Sequence, residues 1–211
     1  MIQRAPIQCV LILVAVLGLS GCISLFPKAD PVTLYKLTAS TGASATATGP
    51  ATTTVLKAPT AFTRVASGDR ILTTEGAKTA FVADARWAAP AQVMFDEALV
   101  SAFTEAAPGV RLVTRGETAV ADHILRVEVR TFEAQYRNGK RSPPTVVIEA
   151  RASLTHLRNH SSAAEQIFRA EAPASANRVS SVVSAFDVAT AKVLGDIARW
   201  SEAQALAQKA A

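Results

Sequence analysis

Asp122-His-Ile-Leu-Arg-Val-Glu-Val-Arg-Thr-Phe-Glu-Ala-Gln-Tyr136 is the stretch on which the fold turns. Leu125, Val127 and Val129 fall on one face, and Arg126, Glu128 and Arg130 on the other. A period of two kept up over that length is a half-buried β-strand. Asn138-Gly139 follows, and because both residues tolerate positive φ this pair is the strongest short-range hairpin signal. The returning strand, 145–157, turns Val146, Ile148, Ala150, Ala152 and Leu154 inward. Glu149 and Arg151 lie on its other face, where they can pair with the charges of the first strand. A third antiparallel strand is expected at 166–172.

Helices flank this meander on both sides in sequence. Over 181–208, Val182, Phe186, Ala189, Val193, Ile197 and Trp200 recur at spacings of four, three, four, four and three. That is an apolar stripe about five turns long. Ala189 is its smallest member, where another element can approach closely. Upstream, Pro90 opens a helix at a position where proline is tolerated, and Pro108-Gly109 stops it. Phe95, Leu99 and Phe103 form its stripe, with Ala91, Met94, Ala98 and Ala102 beside them. Short strands are expected at 32–37, 54–58 and 110–115, and a hairpin at 70–74 and 79–87 around Glu75-Gly76-Ala77-Lys78. Residues 39–53 are all Ala, Thr, Ser, Gly and Pro, too poor in apolar surface to order themselves, and read as a flexible loop. The fold class is therefore α/β: a two-layer sandwich of a mixed, largely antiparallel sheet with two long helices on one face. Residues 32–211, about 180 in all, suit one domain with a real core. No internal repeat is present.

The N-terminus addresses the chain. Arg4 is the one charge before an apolar run at 9–17, and small residues lead to Cys22. This is the pattern of a secretory signal peptide, 1–21. Its apolar run is too short to span a ~30 Å hydrocarbon core as a helix. Leu19-Ser20-Gly21-Cys22 resembles the lipobox of bacterial lipoproteins, which implies acylation of Cys22 and cleavage before it. Two or three acyl chains anchor stably where one would bind marginally. Residue 23 is Ile, not Asp. In lipoproteins of Gram-negative bacteria that implies sorting to the outer membrane, with residues 22–31 as a tether and the body on the periplasmic side. Cys9 leaves with the signal, so the mature chain keeps one cysteine and can form no internal disulfide.

Charge and chemistry exclude more than they suggest. The formal net charge is +5, one less without Arg4, and the basic residues are scattered apart from the modest group at 137–141. A weak positive balance could favour anionic headgroups or peptidoglycan, but it reads first as ordinary solvated charge. Nucleic acid is excluded by compartment. His156 and His160 have the i, i+4 spacing of a zinc helix, yet they fall on a strand running into a turn, where two ligands do not stack. His123 reads as a satisfied strand-edge residue. Asp96-Glu97 lie near a helix N-terminus, where acids complement the dipole. No glycine-rich phosphate loop and no Gly-x-Ser-x-Gly elbow occur, so no metal, no cofactor and no enzymatic activity are expected.

Taken in order, the lipobox, the Tyr35-Lys36-Leu37 strand, the small-residue linker, Arg70-Ile-Leu-Thr73 and Asp84-Ala-Arg-Trp-Ala-Ala-Pro90 leading into a helix resemble the ABC-type transport auxiliary lipoproteins. These are the periplasmic partners of MCE-type lipid transporters. The resemblance implies a non-enzymatic subunit on the outer membrane that docks an MCE-domain protein, with a permease and an ATPase completing the complex, so that lipid moves between membranes. It also implies self-association through an exposed sheet edge or the Trp87 region. Arg86, Trp87 and Tyr35 are the candidate partner contacts. Trp87 and Tyr35 also read as plain core packing, and Arg86 as the exposed one of the three. Two other readings stand beside this one: a lipoprotein assisting envelope assembly (lipopolysaccharide export or cell-wall synthesis), and a periplasmic hydrolase.

Overall fold

A computed structural model describes residues 32–40, 42, 51–157 and 164–210. The signal peptide, Cys22, the 22–31 tether, most of the 39–53 loop and His160 lie outside the described residues.

The expected meander is present: β7 (His123–Gln135), β8 (Thr145–His156) and β9 (Ala164–Pro173) pair antiparallel in that order. Leu125, Val127 and Val129 are buried, and so is the series from Val146 to Leu154 on β8. The ladder carries one irregularity: Val129 pairs with Ala150 and Thr131 with Glu149, leaving Arg130 without a residue opposite. This bulge has a reason. It shifts the alternation by one, so that Phe132 and Ala134 return to the core face. The turn after β7 is wider than a two-residue hairpin. Residues 136–144 bridge the strands, with Gly139 at φ 78°.

The other edge of β7 is shared by three short strands laid end to end in parallel. β2 (Thr53–Lys57) pairs at 123–125, β3 (Ala61–Phe62) at 128–129 and β4 (Arg70–Glu75) at 134–135. From there the sheet forks. One branch continues through β4 to β5 (Lys78–Trp87) and ends at β1 (Thr33–Tyr35); the other continues through β2 and ends at β6 (Val110–Val113). The long ladders and the β4·β5 hairpin are antiparallel; the short ladders are parallel. Thr53, expected in the flexible loop, is instead the first residue of β2 and is buried, with its hydroxyl on Asp122.

Helices α1 (Ala91–Ala106) and α2 (Val179–Ala210) cover one face of the sheet, α2 lying across β8 and β9 and α1 against α2. Pro90 precedes α1 as its N-cap residue, one place earlier than a first helical position. Small and large residues alternate across β8 and β9, as in Ile148 opposite Ala170 and Ala150 opposite Phe168, which lets α2 settle closely. At the centre Phe62, Trp87, Phe95, Phe132 and Phe186 meet largely edge to face, with Trp87 and Phe186 at 5.2 Å and 89°. Such pairs contribute roughly 0.5–1.5 kcal/mol each beyond burial.

Candidate interaction site at the β1/β5 corner

The three residues expected at a partner contact come together here. β1 runs parallel to β5 with Leu34 opposite Arg86 and Tyr35 opposite Trp87. Register partners in a parallel pair share a face, so Tyr35 and Trp87 point to the core and Leu34 and Arg86 to the open side of the sheet. Trp87 is 2% exposed, packed on Phe132 and Phe186, and Tyr35 is half-buried beside it. Their role at this corner is to hold it in place. Trp87 N donates to Asp69 O at 2.7 Å and Ala88 N to Tyr35 O at 2.7 Å, so the strand end cannot shift without breaking the corner. Arg86 alone brings its charge to the surface, where its guanidinium donates to Asp69 at 3.0 Å. The turn at 66–69 that supplies Asp69 also takes the first amides of α1, Ala91 N on Gly68 O and Gln92 N on Ser67 O.

β5 departs from regular pairing just before this point. Arg70 faces Arg86 and Leu72 faces Phe81, so Val82 to Ala85 stand against the single residue Ile71. Asp84, at the crest, has φ 53°, a conformation an Asp tolerates better than a bulky residue does. The wide bulge shapes a shallow cleft of about 400 Å³ between Val32, Phe81, Arg70 and Arg86. Arg70 lies over the Phe81 ring at 4.8 Å. Leu34 is 62% exposed, Val32 42% and Phe81 38%. The sequence carried no signal for this apolar patch, because the residues that form it come from three strands whose pairing is not local.

The remaining candidates are placed elsewhere. His123 begins β7 but does not lie at an edge: β2 and β8 flank it, it is 1% exposed, and its ring meets that of His156 at 4.8 Å. Burial and then His156 hold its pKa below the ordinary imidazole value, against the pull of Asp122 and Gln208. Asp96 was expected to serve the helix dipole; it lies past the first turn of α1 and instead accepts from the buried Lys57 ammonium at 2.7 Å. Thr60 adds a short hydrogen bond to the same carboxylate. Among the described residues no group of three or more His, Cys, Asp or Glu is placed to hold a metal.

On the open face of β7–β9 the charges form a lattice. Arg137 and Arg169 both donate to Glu171, Arg169 also to Glu149, and Arg151 bridges Glu128 and Glu165. The hydrogen bonds from Arg137 and then Arg169 lower the Glu171 pKa to about 2. Every member is solvated and already paired, so this face neutralises itself and offers no convergent acid–base or nucleophilic group.

With that geometry in view, the comparison with known proteins is specific. Residues 35–198, from the end of β1 deep into α2, match the family described as the ABC-type transport auxiliary lipoprotein component. The chain belongs to that family. No curated protein sequence matches it. A crystal structure of a Xanthomonas campestris protein is similar at 24% identity and a TM-score of 0.71, covering 85% of this chain and all of that one. A second, uncharacterized protein reaches 17% and 0.63 over 81% of this chain and 99% of its own. A hypothetical protein of Chlamydia trachomatis reaches 10% and 0.50 over 74% and 99%. These likenesses concern the fold. Among the described residues no helix is long and apolar enough to cross a membrane.

Proposed function

We propose that this chain is the lipid-anchored periplasmic subunit of an ABC transporter of the MCE type, and that it ties the complex to the outer membrane so that lipid passes between the membranes. The observation that carries this reading is the family match over residues 35–198 in a chain that opens with Leu19-Ser20-Gly21-Cys22-Ile23. Its work is anchoring and docking, not catalysis. The architecture suits that work: a two-layer body whose sheet has edge strands at β1, β6 and β9 among the described residues, and charges on the open face of β7–β9 that pair among themselves. The partners in this reading are an MCE-domain protein with its permease and ATPase, and other copies of the chain itself.

A pull-down of tagged protein from detergent-solubilised envelopes, read by mass spectrometry, tests it. Recovery of an MCE-domain protein with a permease and an ATPase is the expected result. Recovery of lipopolysaccharide-export or cell-wall machinery without transporter subunits would replace it with an assembly role.

A further inference from the structure

We infer that the open face of the β1/β5 corner rests on the membrane, with Leu34, Val32 and Phe81 entering the headgroup region and Arg70 and Arg86 at the level of the phosphates. The inference rests on acylation of Cys22. Ten peptide steps separate Cys22 from Val32, which caps the reach of the chain at roughly 35 Å. The first described residue of the body therefore lies within that reach of the bilayer, and it is part of the apolar patch.

The patch has the composition of an interfacial surface. Leu34 at 62% exposed and Val32 at 42% project from an edge strand, and Phe81 joins them across the bulge. Arg70 lies over the Phe81 ring, its Cζ 4.8 Å from the centroid, an arrangement in which the stem and ring can bury together while the guanidinium stays at the polar boundary. Asp69 is matched by Arg86, while Asp84 and Arg70 line the same cleft and form no ion pair among the described residues. The rim carries two cations, Arg70 and Arg86, and two acids, Asp69 and Asp84, so its charges balance and suit a zwitterionic headgroup layer. Another exposed apolar group, Ile167 on β9, lies on a strand that pairs with neither β1 nor β5. A transporter subunit is the other occupant this face could take. The tether favours lipid, because a face drawn down onto the bilayer is hidden from a protein arriving across the periplasm.

The test uses the lipidated mature protein in vesicles of phosphatidylethanolamine and phosphatidylglycerol. Acylation leaves no other cysteine, so Ala83→Cys on the bulge and Ile167→Cys on β9 can each carry an environment-sensitive fluorophore. Mass spectrometry first establishes the acyl groups; a chain without them removes the lipobox reading and this inference with it. With acylation confirmed, the label at position 83 shifts to the blue in vesicles relative to detergent and the label at 167 does not. Leu34→Asp abolishes the shift, with an unchanged melting curve and unchanged recovery of transporter subunits. Equal behaviour of the two labels in the anchored protein overturns the inference. So does loss of the transporter subunits with Leu34→Asp, which would assign the face to a protein partner.

Discussion

Lys57 and Asp96 show how one pair can carry more than its exposure suggests. The Lys57 side chain is 8% exposed and its ammonium lies 2.7 Å from the Asp96 carboxylate, which is itself about one-third exposed. Removing the acid strands a buried cation, whereas replacing the lysine by methionine removes the charge and keeps the stem. Breaking a fully buried pair typically costs 3–5 kcal/mol; with Asp96 part-solvated, Asp96→Ala should cost about 2–3 kcal/mol and Lys57→Met less than about 1 kcal/mol. Urea unfolding of the two variants checks the order, and equal losses would show that the pair is not the source. Glu171 makes a separate prediction about pH. Its folded pKa, lowered to about 2, lies below its unfolded value, so its contribution is present above about 4.5 and is lost as pH falls toward 2. All its partners are solvated, so the amount stays under about 1 kcal/mol. Urea midpoints of the wild type and Glu171→Gln should differ at pH 6 and converge near pH 2; a constant gap would remove the ion pairs as the cause. Neither pair was legible beforehand. Lys57 and Asp96 are far apart in sequence, and Asp96 read alone suits the helix dipole equally well.

At the scale of elements, what could be read was what repeats. Alternation placed β7, β8 and β9 within one or two residues, and the apolar stripes placed both helices, because each signal is local and long. Pairing between short strands is neither. β2, β3 and β4 lie along β7 in parallel, and nothing in five, two or six residues says which edge will take them. The bulge at Arg130 is an intermediate case. Leu125, Val127 and Val129 are at odd positions and Phe132 and Ala134 at even ones, so an irregularity between them is implied, but Arg130 and Thr131 could each be the extra residue. The structure assigns it to Arg130. Deleting Arg130 then leaves Val129, Thr131 and Phe132 in regular alternation with their present faces, and should yield a folded protein destabilised by about 1–2 kcal/mol. Deleting Glu128 turns Arg130 toward the core if Phe132 is to stay there, and should prevent folding. Near-ultraviolet circular dichroism of the two deletions decides it; equal damage would mean that the bulge, and not the parity it restores, is what the sheet needs.

For the whole molecule, the question is how the lipid anchor proposed above would be coupled to the domain. β1 is three residues long and pairs with β5 alone among the described residues, which is little to hold a chain that would lead to a membrane. The coupling continues past the strand. Leu37 packs against the core, and the Asp187 carboxylate on α2 accepts both the Thr38 amide at 2.7 Å and the Thr38 hydroxyl at 2.9 Å. Ser40 then reaches Glu105 on α1. The segment leaving β1 is therefore stitched to both helices, so that a pull on the tether is borne by the helical layer as well as by the sheet edge. Asp187→Ala should unfasten this segment without unfolding the body. Hydrogen exchange of the amides at 33–38 should quicken roughly tenfold, on the order of 1.4 kcal/mol of local opening, while amides in β8 keep their protection. Exchange that rises equally in β8 would mean that Asp187 supports the whole domain and that the tether is coupled some other way. If the local loss is seen, the same variant in cells tests the proposed anchoring: the folded body would keep its acyl anchor but lose the fixed path from it to the helices, and recovery of the proposed transporter subunits reports whether docking depends on that path.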